Sequence, residues 1–128
     1  MTRSTATDII AHLNTNWDTD IISKPTFVDQ FENQMMKDQH SLGVNWVGMQ
    51  WIPQSTGFAS RDEETNTLTV QINETTLASL NTVIDHVRSL LKLKTLAGGH
   101  YMLTSASPMK VGTHYECFLT LEEVMSLQ

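Results

Sequence analysis

A single cysteine, Cys117, occurs among the 128 residues. One thiol excludes both an intramolecular disulfide framework and a multi-cysteine zinc centre. Cations are scarce as well: eight Lys and Arg against fourteen Asp and Glu give a formal net charge of -6 and a pI near 5.2. Proteins whose main task is to grip phosphate backbones need clustered Lys and Arg. Here only Arg88, Lys92 and Lys94 come close together, late in an expected helix where cations meet the helix dipole favourably. No apolar run approaches the ~20 residues that span a bilayer, and the opening MTRSTATDIIAHL lacks the apolar core of an export signal. The expectation is a soluble product made in the cytoplasm, with no membrane partner. Gly-rich phosphate loops, GxSxG and dinucleotide fingerprints are also missing.

What is present fits one folded domain over residues 1–128: 40% hydrophobic and 17% charged residues are the proportions of a chain that buries a core. Ala6, Ile9, Ile10 and Leu13 share one helical face, and Thr5 with Asp8 has capping-box spacing, which predicts a helix over 5–16. Residues 26–36 read two ways. Phe27, Phe31 and Met35 keep helical spacing, slightly preferred by periodicity, whereas Lys24-Pro25 and the β-branched and aromatic residues after it favour a strand. VNWVGMQWI, 44–52, reads as a covered strand closed by Pro53. Residues 54–66, with turn formers and the acidic run Asp62, Glu63 and Glu64, read as an exposed loop.

Leu68, Val70 and Ile72 alternate with Thr69, Gln71 and Asn73, so 67–73 is the surest strand. Leu77, Leu80, Ile84, Val87 and Leu91 then hold helical spacing, with Asn73 or Thr75 as cap and Gly98-Gly99 beyond the end. HYMLTSAS, a turn over 108–112 and THYECFLTL follow as an antiparallel pair. The fold class is α+β: a mostly antiparallel sheet with the N-terminal helix and one long helix packed on one face, the other face being left for solvent or a neighbouring copy.

The five histidines show no HxxxH spacing, and His114 and Cys117, three apart on a strand, point to opposite faces, so no metal or cofactor site is expected. Cys117 has no local base or helix N-terminus to activate it and reads as a buried strand thiol. The carboxylate groups Asp18/Asp20, Asp62 to Glu64 and Glu122/Glu123 read as solvated loops or termini. Three tryptophans and seven methionines supply core and, in part, candidate interface.

Taken in order, TATDIIAHLNTNW, DTDIISKPTF, LTVQI, NTVIDHVRSLLKL and two closing strands resemble the tail-terminator and neck proteins of tailed viruses. In that group a first helix often ends in a similar Asn-Trp-Asp-Thr segment followed by Lys-Pro and a strand. The resemblance implies that 26–31 is a strand. It further implies a virion structural protein: a homo-oligomeric ring, commonly of six copies, that joins the tail tube to the neck or head. Its partners would then be the tail tube protein and a neck or head-completion protein. Such proteins have no active site and no cofactor, and DNA passes through them without sequence-specific binding. A neutral or acidic lumen suits that passage. Under this reading the candidate interface residues are Trp17, Trp46, Trp51, Phe58, Asp62, Glu63 and Glu64, and residues 14–27 connect helix to sheet with Trp17 as anchor.

The competing reading is a small α+β enzyme or ligand-binding domain that uses the sheet near Trp46, Trp51 and Tyr101, with His100 or His114 as acid or base. Its required feature is a deep apolar pocket with converging polar groups. A third reading, an adaptor lending a sheet edge to another protein, differs in partner and stoichiometry.

Overall fold

Thr5 opens the first helix with both halves of a capping box: its Oγ1 accepts from Asp8 N at 3.1 Å, and Asp8 Oδ2 accepts from Thr5 N at 2.9 Å. In the computed structural model, which describes residues 5–29, 40–56, 59–92, 99–105 and 108–127, this helix is α1, Ala6–Asn16. It buries Ala6, Ile9 and Leu13, the stripe expected from spacing. A second helix, α2, covers Leu77–Lys92. Its cap is Thr76, one residue past the expected pair, since Thr76 Oγ1 accepts from Ser79 N at 3.1 Å and Thr76 O begins the helical ladder to Leu80 N. Leu80, Val83, Ile84, Val87, Leu90 and Leu91 form its buried face, while Leu77 remains 44% exposed.

Among the described residues six strands make one sheet: β1 (Thr26–Asp29), β2 (Ser41–Thr56), β3 (Ala59–Glu74), β4 (Gly99–Ser105), β5 (Met109–Val111) and β6 (His114–Leu127). The order across the sheet is β1-β2-β3-β6-β4, with β5 beside the start of β6. Every described pairing is antiparallel except β1 with β2. Residues directly opposite in register share a face. Leu42, Ile72 and Cys117 therefore form one row of the core, and Val44, Val70 and Leu119 the next. Both helices pack over these rows, α1 on β1 and β2 and α2 on β3 and β6. The architecture is α+β, as the pattern of the sequence implies.

Four expectations change. Residues 54–66 are not a loop, because β2 continues through Pro53 to Thr56 and β3 begins at Ala59, pairing Thr56 with Ala59 and Pro53 with Asp62. The acidic run survives in a strand because β6 supplies its other neighbour: Asp62, Glu63 and Glu64 face Leu127, Ser126 and Met125 in register. β1 accompanies β2 only from Ser41 to Val44, so at Pro53 the described β2 has a free edge, the setting in which a strand accommodates proline.

The second change concerns 26–36. Thr26–Asp29 is extended, against the helical periodicity; Lys24-Pro25 pre-sets the backbone, and Phe27 lies opposite Leu42 at the core. Residues 30–36 lie outside the described residues. Third, the turn expected over 108–112 is narrower. Met109–Val111 is the strand β5, and the reversal falls at Gly112-Thr113, where Gly112 at φ 62° adopts the left-handed conformation glycine accepts without strain. Fourth, Glu122 and Glu123 are not a solvated loop or terminus: both lie in β6, and Glu123 is fully buried.

Magnitudes show how far the sheet outruns its cover. At ~3.3 Å per residue the 16 residues of β2 or β3 span roughly 50 Å, and at 1.5 Å per residue the 16-residue α2 spans roughly 24 Å. The β2–β3 hairpin thus extends well past the helix layer. Along β2 the burial records the limit: Leu42 and Val44 are fully buried and Trp46 is half exposed.

Candidate functional site

The connector after α1 answers what its aromatic and acidic residues are for. Trp17 is 8% exposed, donates Nε1–H to Ile22 O at 3.0 Å, and sets its ring edge-on to Phe27 and His86, with centroids 5.8 and 4.5 Å away. It is the anchor, with its ring given to the core. Asp18 Oδ1 accepts from Asp20 N at 2.9 Å and Asp18 O accepts from Ile21 N at 3.1 Å, a local turn of the kind Asp side chains build. Asp18 and Asp20 therefore shape a turn. Among the described residues no three His, Cys, Asp or Glu side chains come together as a metal site.

Three histidines pin this segment and its helix. His12 Nε2 donates to Leu90 O at 2.8 Å, in the last described turn of α2. His86, buried on α2, accepts the Asp18 N–H at Nε2 over 3.0 Å. His40 sits just before β2, its Nδ1 on the buried Glu74 carboxylate and its Nε2 3.1 Å from Ser23 Oγ and 2.8 Å from Ser23 O.

Ser23, His40 and Glu74 are a constellation that sequence reading did not find. In outline it has the order of a hydrolytic triad, nucleophile to base to orienting carboxylate. The shorter contact decides its chemistry. A carbonyl can only accept, so Nε2 serves Ser23 O by donating a proton, and a nitrogen that donates cannot take the hydroxyl proton of Ser23. The cluster ties the connector to the ends of β2 and β3, helped by Thr26 N donating to His40 O at 3.0 Å. Leaving buried Glu74 without its imidazole partner is expected to cost about 1–3 kcal/mol in His40→Ala, against well under ~1 kcal/mol for Ser23→Ala. Denaturant titration of both variants measures the contrast, and equal losses would contradict the tie.

At the far end of the core face a second polar group is built into the sheet. Trp46 Nε1 donates to Asn66 Oδ1 at 2.7 Å, and Asn66 Nδ2 donates to Glu123 Oε1 at 2.8 Å. Asn66 and Glu123 are fully buried and opposite in register. Trp46 is thus held by buried Asn66, which buried Glu123 holds in turn, while half of Trp46 stays in solvent. Beside it, between Trp46 and Gly48, the β2–β3 register shifts, and Val47, the bulged residue, is 59% exposed.

Among the described residues no helix lies on the opposite face of the sheet. From register it carries Asn45, Thr69 and Thr120 in one row, Gly43, Gln71 and Phe118 in the next, and Ser41, Asn73, Glu116 and Met109 beyond, with Ser41, Gly43 and Asn73 buried and Met109 and nearby Val111 exposed. Glu122 lies opposite Thr67 on the same face. Among the described side chains of this face there are two carboxylates and no Lys or Arg.

Of the expected interface residues, Trp46 is on the surface as described, whereas Trp17 is not, because its ring is buried in the core. Trp51 lies in β2 opposite Glu64, with only backbone described there, as for Asp62, Glu63 and Glu64 in β3. Phe58 lies outside the described residues. His114 Nε2 meets Glu116 Oε1 at 3.0 Å on the open face, and His100 lies in β4, where only backbone is described.

Cys117 is 1% exposed in the core row of β6, and burial raises its thiol pKa. The folded thiol resists ionising where the unfolded thiol does not. Its stabilising contribution is therefore complete below the pH of free thiol ionisation, about 8.5, and is lost as pH rises through the folded value. Stability measured from pH 7 to 10 should decline less steeply in Cys117→Ala than in the parent, and parallel curves would refute the assignment.

No family model matches the sequence, and no curated protein matches it. Among solved structures, a chain from the virion of a native gene transfer agent particle is similar over 93% of this chain and 92% of that chain, with 9% identity and a TM-score of 0.49. Similarity at that level assigns neither a family nor a role. No described helix is long and apolar enough to cross a membrane.

Proposed function

We propose that this chain is a structural protein of a tailed-virus particle, acting by assembly, with no bond-making centre: a ring at the end of the tail tube, where it joins the neck or head. The observation that carries the reading is the sidedness of the sheet. One face is closed by two helices, and the other, by register, carries half-buried Asn45, Thr67, Thr69, Gln71 and Thr120 beside Phe118, His114, Met109 and Val111, with two carboxylates and no Lys or Arg among its described side chains.

Such a face suits the wall of a DNA passage. Each Lys or Arg that meets a phosphate releases counterions and gains affinity, which would make DNA stick. Uncharged hydroxyls and amides stay hydrated and offer no such gain, and carboxylates repel. The net charge of -6 works in the same direction. The element order and the Asn-Trp-Asp-Thr and Lys-Pro segments support the tail-terminator placement, and six copies is the number that resemblance implies.

Electron microscopy of the purified protein, alone and mixed with tail tubes, tests the proposal. Rings, free or capping tube ends, are expected. A protein that stays monomeric at high concentration and leaves tube ends bare would end this reading.

A further inference from the structure

The contacts among Ser23, His40 and Glu74 set a proton count. Nε2 of His40 meets Ser23 O at 2.8 Å, and Nδ1 meets the carboxylate of buried Glu74. A carbonyl and an ionised carboxylate both accept, whereas a neutral imidazole has a single N–H and serves only one of them. Both contacts together need one proton more, held either as imidazolium against carboxylate or as neutral imidazole against carboxylic acid. We infer that Ser23, His40 and Glu74 form a proton-held latch: it fastens the end of the connector to the sheet while the pair carries that proton, and it lets Ser23 go when rising pH removes it.

Burial decides which contact fails. Glu74 is buried at the end of β3 and Ser23 is exposed. With one N–H left, a buried carboxylate facing a bare nitrogen costs more than a surface carbonyl turning to water. The proton therefore stays on Nδ1, and Ser23 O loses its donor. The released piece is short, because the connector keeps its other anchors: Trp17 Nε1 still donates to Ile22 O, and Asp18 N to His86. The change is confined to 23–25 and the entry to β1, where Thr26 N donates to His40 O.

The surrounding charges leave the proton to this pair. In register beside Glu74 stand Tyr115 of β6 and Lys110 of β5, and the connector carries Asp18, Asp20 and Lys24. Among the described residues none of these forms a hydrogen bond or ion pair with the imidazole, and Glu74 is the acid that His40 pairs with. On the helices His12 is engaged with Leu90 O and His86 with Asp18 N; β1 has no titratable side chain before Asp29, opposite Val44. The folded chain holds the proton through two contacts that the unfolded chain lacks, so the latch is complete in mild acid and is lost as pH rises. It works within a single chain, whether or not the chain assembles.

Nitrogen NMR of the isotope-labelled full chain over roughly pH 5 to 9, a range that brackets free imidazole, tests this. Nε2 of His40 should carry a proton in mild acid and lose it in base, and the backbone signals of Ser23 and Lys24 should move with the same midpoint. Glu74→Gln separates the latch from packing. Its amide N–H donates to Nδ1, so a neutral imidazole keeps Nε2–H on Ser23 O, and the movement of Ser23 and Lys24 should be lost across the whole range. Signals of Ser23 and Lys24 that stay put in the parent while His40 titrates, or that move in Glu74→Gln as they do in the parent, would overturn the inference. Should Glu74→Gln not fold, the parent alone decides: an Nε2 that is bare in mild acid, or still protonated in base, overturns it equally.

Discussion

Trp17→Ala lowers the unfolding free energy by about 3–5 kcal/mol, the range for truncating a large buried aromatic, as read from denaturant titration. The position combines three losses. The ring leaves a void between α1, β1 and α2, bordered by Phe27 and His86. Ile22 O loses its donor. The Asp18 turn, hung from His86 on the adjacent residue, loses the side chain that fixes where it begins. Trp17→Phe keeps most of the packing and forfeits the hydrogen bond, so it should cost about 1–2 kcal/mol. A Trp17→Ala chain as stable as the parent would mean that the connector is not anchored here.

The second large effect is a gain of DNA binding. Placing cations on the open face with Gln71→Arg and Thr120→Arg converts a surface without a described Lys or Arg into one that releases counterions from phosphate. The two positions are diagonal neighbours on β3 and β6, which avoids placing like charges directly opposite. In an assembled ring the pair repeats in every subunit, and phosphate contacts accumulate. Duplex DNA should be retained at ~50 mM salt and released on the order of 10³-fold more readily at ~200 mM, as for proteins making several phosphate contacts. Particles carrying the variant should eject DNA poorly. Rings that assemble normally and pass DNA as the parent does would show that this face does not line the passage.

Both effects depend on features with different visibility in the sequence. Trp17 as an anchor is legible because it directly follows an apolar stripe with its own capping box, both local patterns. The open face is legible in part: Thr69, Gln71 and Asn73 alternate with Leu68, Val70 and Ile72, and alternation tells which residues share a face. The breadth of that face is not legible, since Thr120 and Asn45 join it only through register with β3.

The histidines illustrate the same limit from the side of chemistry. His40 lies 17 residues from Ser23 and 34 from Glu74, and no spacing rule connects them. His100 and His114 drew attention from their places at strand starts, yet the histidines that hold the described structure together are His12, His40 and His86. Each of the three has a backbone carbonyl or N–H among its partners, a group that nearly every residue has and no sequence motif marks.

The sequence by itself determined the two helices, the alternating strand at 67–73 and the α+β class, because capping, 3.6-residue stripes and two-residue alternation are set by neighbours along the chain. Tertiary structure alone decided that an acidic, turn-rich stretch becomes the arm of a long hairpin, that Trp46 stands out on a buried polar mount, and that Ser23, His40 and Glu74 meet. The physical reason is common to all three. A strand's extent and a side chain's partner are fixed by hydrogen-bonding groups and surfaces that arrive from distant parts of the chain, and local preference gives way to them.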